Sequence, residues 1–189
     1  MKHYIDILNK VYAFNVEGDQ DDLIEQGFKP VTLPDTDVST WIVDYDSGEI
    51  RVDEQKALSL ARNSATRRIN AARDAALADG LQYTMPDGTN DVIQMQAGDR
   101  QNLMGLAIDA RDLMAAGETG AVHEFRGRSN ARHWLTPAQM IDLTNAALAH
   151  YKGVMAQSWD RKDAIEAVEL SDYPSLDEAV AAIEGIGWE

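Results

Sequence analysis

Before residue 53, apolar and polar residues alternate with a period near two in several short stretches; from Asp53 onward the period lengthens to that of a helix. His3–Phe14 (HYIDILNKVYAF) sets β-branched and aromatic residues on either side of Asn9-Lys10 and predicts a hairpin. EGDQDDLIEQGF follows, acidic and turn-rich, and Pro30 and Pro34 bar regular helix from KPVTLPDTDV. In WIVDYDSGEIRV, Trp41, Val43 and Tyr45 alternate, Asp46-Ser47-Gly48 supplies the turn, and Ile50 and Val52 bring the chain back. These hairpins predict a β-rich N-terminal module over residues 1–53. Alone it would be marginal, because so short a β structure buries little apolar area.

Residues 54–189 read as a mainly helical domain. Leu58, Ala61, Ala65, Ile69, Ala72 and Ala76 recur at steps of three and four and predict one long stripe, which Gly80 ends. Alanine lets helices approach closely but buries little area per turn. The stripe calls for a partner, either another helix of the chain, which we favour, or a second copy in a homo-oligomer. Opposite it lie Arg62, Arg67 and Arg73. Pro86-Asp87-Gly88 marks a turn inside a hairpin near 82–95, and Asp99 is expected to cap a helix with Leu103, Leu106 and Ala110 inward. AVHEFRGRSNARHWL predicts a second hairpin near 121–134. Thr136-Pro137-Ala138-Gln139 is a helix start with a capping box, and Met140, Leu143, Ala147, Tyr151 and Val154 form its inner face. Asp160 is expected to cap a further helix, and Ser175 with Glu178 the last one. The expected class is α+β.

Charge refines this picture. The 189 residues carry a net charge of −15, unevenly spread. Residues 1–61 hold 5 basic and 13 acidic side chains, 62–132 hold 9 of each with every cation an arginine, and 133–189 hold 3 and 10. Acidic ends repel nucleic acid and anionic lipid, so neither is expected as a partner. No stretch is long and apolar enough to span a membrane, and MKHYIDILNK lacks the apolar run of a secretory signal. The absence of cysteine excludes disulfides and thiolate metal sites.

Candidate chemistry is sparse, and no catalytic residue and no cofactor are expected. The acidic loop Glu17–Asp22 lacks the alternating ligand spacing of a calcium-binding loop. His123 and His133 lie on either side of one turn and are placed to face each other, but two imidazoles do not make a zinc site, and Glu124 points to the other face of its strand. Asp109 and Asp112 share a helix face, with Arg111 beside them to neutralise them. No nucleophile elbow, metalloprotease helix or phosphate loop occurs.

HYID…NKVYAF followed by EGDQDDLI resembles the start of proteins encoded beside tail-fibre genes in tailed bacteriophages, often labelled tail-fibre assembly proteins. ATRRINAARDAALADG…YT, NLMGLAIDARDL, HWLTPAQMIDLTNAALAHY and KDAIEAVELSDYPSLDEAV are similar to a domain of unknown function common in the same loci. The hairpin departs from that pattern. An Asp-Asn turn after a tryptophan-bearing strand is usual there, whereas here the turn is Gly127–Asn130 and Trp134 follows it. The resemblance implies a tail-fibre assembly chaperone or accessory that binds the fibre or another tail protein. It would act in the host cytoplasm during assembly; the alternative is a structural component retained in the virion tail or baseplate. The family offers no catalytic residues to carry over.

A protein of that kind needs a docking surface. Two sets of residues are the candidates: the aromatics Tyr4, Tyr12, Phe14, Phe28 and Trp41 of the N-terminal module, and the hairpin arginines Arg126, Arg128 and Arg132.

Overall fold

In the computed structural model, which describes residues 2–8, 10–14, 21–31 and 40–188, the first strands form where the alternation places them. Lys2–Ile5 (β1) pairs antiparallel with Val11–Phe14 (β2), with Tyr4 opposite Tyr12. The Asp6 carboxylate closes the turn by accepting from the Leu8 and Lys10 amides and the Tyr12 hydroxyl. The short helix Asp21–Glu25 (α1) leads to a strand that the sequence did not announce, Lys29–Val31 (β3), which completes the order β2-β1-β3. Pro30 is tolerated there because β3 is an edge strand. Trp41–Val43 (β4) and Ile50–Val52 (β5) form the expected second hairpin, its turn held by the Asp44 carboxylate on the Ser47 amide and hydroxyl.

Asp53 starts the long helix Glu54–Asp79 (α2), its side chain accepting from the Lys56 amide. Leu58, Ala65 and Ile69 are buried and Ala61, Ala72 and Ala76 half-buried, so the alanine-rich stripe is the inner face of α2. The chain divides into two compact units, 1–63 with 168–184 and 64–167 with 185–189. In the first, Arg62 donates to the Val168 carbonyl and pairs with Glu169 at 3.2 Å. There too Leu176–Glu184 (α5), capped by Ser175, buries Ala179 and Ile183.

The second unit holds the larger core. Leu81–Thr84 (β6) and Asn90–Ile93 (β7) form one hairpin, His123–Phe125 (β8) and His133–Leu135 (β9) the other. Ala97–Ala115 (α3) and Pro137–Glu166 (α4) pack on each other. Met85, Ile93, Met95, Leu103, Phe125, Leu135, Met140 and Leu143 make one buried cluster from both hairpins and both helices. Two helix boundaries differ from expectation. Asp99 is not the N-cap of α3: the helix begins at Ala97, and Asp99, three residues inside the cap Gln96, accepts that residue's amide. Asp160 caps nothing, because α4 runs through it to Glu166; no glycine or proline interrupts QSWDRKDAIE, and the exposed Asp160 side chain is left to solvent. Thr136 is the N-cap of α4 as expected, accepting from the Gln139 amide while Gln139 accepts from the Thr136 amide.

Candidate functional site

A buried polar cluster joins the two hairpins of the second unit. Asp91, on β7, is 5% exposed. Its carboxylate accepts from the Val92 amide at 2.7 Å, the Ser129 amide at 3.0 Å and the Ser129 hydroxyl at 2.6 Å, and lies 3.1 Å from His133 Nε2. Burial works against the charged form, but the Ser129 hydroxyl and amide, the Val92 amide and His133 outweigh it and hold the carboxyl at about 2. With Asp91 ionised, His133 must donate through Nε2–H. Asp87 lies 3.7 Å from the other ring nitrogen, its carboxyl lowered chiefly by the Thr89 hydroxyl and amide.

The turn sequence exists to let this happen. A Cβ on Gly127 would stand 2.5 Å from the Asp91 carboxylate, so only glycine admits it. Asn130 takes the left-handed backbone, φ 60°, that closes the turn, a conformation asparagine tolerates better than most residues. The Arg128 amide donates to the Val92 carbonyl at 2.9 Å, adding a main-chain link between the hairpins. Ser129, His133 and Asp91 do not form a nucleophilic triad, because the serine hydroxyl is bonded to the carboxylate and not to the imidazole.

His123 and His133 share the buried face of their hairpin, but they do not face each other. The register sets His123 against Leu135 and His133 against Phe125, so each imidazole turns to its own carboxylate. For His123 that is Asp109, at 3.6 Å. Glu124 points outward, opposite Trp134, as strand alternation requires. Among the described residues no group of three or more histidine and carboxylate side chains surrounds a common point fit for a metal. The acidic loop weighed as a metal site lies outside the described residues through Gln20, as do the side chains of Asp21, Asp22 and Phe14.

A profile for a domain of unknown function, DUF4376, matches residues 60–184. The chain belongs to that family. Neither the curated proteins nor the solved structures contain a match to it. Both hairpins of the second unit, α3, α4, α5 and most of α2 thus lie within the DUF4376 domain, while β1 to β5 precede it.

The residues expected to dock a partner are placed as follows. Tyr4 is 0% exposed and serves the interior of its sheet, so it offers no contact surface. Tyr12 and Phe28 are half-buried and meet edge to face, ring centroids 5.4 Å apart, and Trp41 is half-buried on β4. Arg126 and Arg132 of the DUF4376 hairpin both reach Glu124, at 2.7 and 3.3 Å. Arg126 in particular draws the Glu124 carboxyl below its usual value. Arg128 donates to the Ala78 carbonyl in the last turn of α2, where a cation complements the helix dipole. The three arginines are therefore engaged within their own domain.

What the sequence did not single out is aliphatic. Met104 and Ile108 of α3 and Leu148 of α4 are 63, 57 and 49% exposed beside a groove of about 590 Å³ between the two helices. Ile7 and Leu8 stand out at the tip of the first hairpin. The signal was available: both helices have apolar residues on more than one face, more than a single core contact needs. A second cleft of about 470 Å³ is lined by Ile93, Asp99, Leu106, Glu124, Phe125 and Arg126.

Proposed function

We propose that the chain is a bacteriophage tail-fibre assembly protein, an accessory that binds the fibre or a neighbouring tail protein and catalyses no reaction. The observation that carries the binding role is the apolar surface on α3 and α4. Exposed aliphatic side chains grouped beside a groove mark interaction sites. In the polar cluster of the same domain the Ser129 hydroxyl is bonded to the Asp91 carboxylate and not to the His133 imidazole, so no serine–histidine pair is formed there. The tail locus rests on the resemblance of the opening HYID…NKVYAF and of the helical segments to proteins of such loci. Assembly would take place in the host cytoplasm.

Co-expression tests this reading. The chain should raise the yield of soluble, trimeric fibre from the same phage several-fold; an unchanged yield, with no complex on co-purification, would sink it. The second reading is a structural component of the tail or baseplate, favoured by the acidic, hydrophilic composition that keeps a stored subunit soluble. Mass spectrometry of purified virions separates the two, since a chaperone is absent from the finished particle. A glycan hydrolase is the least supported reading. Its general acid needs a raised pKa, and in the cleft beside α3 the arginines push Glu124 the opposite way.

A further inference from the structure

Along α3, Arg100, Met104, Ile108 and Arg111 follow one another at steps of four, four and three, a single stripe on one face. At about 1.5 Å per residue the stripe is some 16 Å long, three turns of helix. It borders the groove that α3 makes with α4, where Leu148 supplies the facing apolar edge and Ala107 a low floor. The residues around this groove include both arginines and no aspartate or glutamate, in a chain of net charge −15. Arg100 is fixed in place: its guanidinium lies 4.6 Å from the Tyr151 ring centre and donates to the Met95 carbonyl at 2.6 Å. Arg111 is exposed and makes no ion pair among the described residues, since Asp109 turns to His123 instead.

We infer that this groove receives an amphipathic helix of another protein, with two apolar residues one turn apart and an acidic residue beyond each end of the pair. A groove between two helices accepts a third through its ridge of anchors. The basic–apolar–apolar–basic order of the stripe fixes the complementary order in the guest. A second copy of this chain fits poorly. The stripe reads nearly the same in both directions, so an antiparallel seam between two copies would set Arg100 of each against Arg111 of the other. The inference rests on the docking role proposed above and names its surface and the chemistry of its occupant.

The test uses the full chain and two fluorescently labelled 15-residue helical peptides. Both carry the same leucine pair; one bears glutamates beyond each end of it and the other lysines. Titration followed by anisotropy should show saturable binding of the glutamate peptide, at least about tenfold tighter than the lysine peptide and weakened by salt. Ile108→Asp and, separately, Met104→Glu should abolish binding while circular dichroism and the melting midpoint stay near wild type, both positions being more than half exposed. Arg111→Glu, which leaves Arg100 at the other end, should erase the preference between the peptides. The inference is overturned by no saturable binding, by equal affinity for the two peptides, by binding that survives Ile108→Asp, or by a wild-type dimer in sedimentation that Ile108→Asp dissolves. If the peptide fails but fibre yield still rises on co-expression, the surface is wrong and the tail reading stands; if the peptide binds and fibre is unaffected, the reverse holds.

Discussion

Asp91 shows what a buried carboxylate costs and what offsets that cost. A charge taken out of water is tolerated only where donors replace the lost hydration, and Ser129, Val92 and His133 do so within 3.1 Å. The folded-state pKa of about 2 lies below the value near 3.9 of an unfolded aspartate, so the associated stability is present above pH 4 and drains away as pH falls towards 2. The gap corresponds to about 2 kcal/mol at neutral pH. Asp91→Asn should therefore lower the unfolding free energy by on the order of 2 kcal/mol at pH 7 and flatten its decline between pH 5 and 2, as read by urea titration across that range. An acid limb as steep as wild type would place the stabilising carboxylate elsewhere. Nothing in the sequence isolates Asp91 from the other acidic residues. Its role comes from Gly127 and Ser129, which are 36 and 38 positions away in the chain and reach it only once both hairpins have formed.

At the level of single elements, local chemistry decides the start of α4. Thr136→Ala removes the oxygen that accepts the Gln139 amide and should cost about 1 kcal/mol in urea denaturation. Ile69→Asp acts on the other long helix. Ile69 is 1% exposed within a single chain, so no second copy is needed to cover the stripe. The substitution should collapse far-UV helicity at room temperature; a well-folded variant that had merely lost an oligomer would show the seam to lie between chains. The elements legible in the sequence are those specified locally: the Thr136 box, the Asp53 and Ser175 starts, the turns at Gly48 and Gly88, and the stripe from Leu58 to Ala76. Three things were not legible for physical reasons. β3 is an edge strand built around a proline. Asp99 and Asp160 are equally good caps on paper, but Asp99 enters the start of α3 as the third residue of a capping box with Gln96, and Asp160 lies inside α4, which no glycine or proline interrupts there. The register of β8 on β9, which keeps the histidines apart, depends on a four-residue turn whose geometry answers to Asp91.

Across the whole molecule, Tyr4 serves the interior of its sheet and Tyr12 and Phe28 meet one another, while the hairpin arginines serve Glu124 and the end of α2. The apolar surface beside the groove of α3 and α4 belongs to residues with no individual distinction in the sequence, such as Met104 and Leu148, because exposure is a property of how helices are covered and not of residue type. One further property belongs to the domain as a whole. The amides of Val92, Arg128 and Ser129 are each held by a bond that spans the two hairpins or accepts at the shared carboxylate. Neither hairpin can fray without releasing the other. In native-state hydrogen exchange these three protons should then share one opening free energy, and Asp91→Asn should accelerate all three together. Three distinct exchange rates, or acceleration of one alone, would mean that the hairpins open independently, and that the domain breathes in pieces rather than as one cooperative unit.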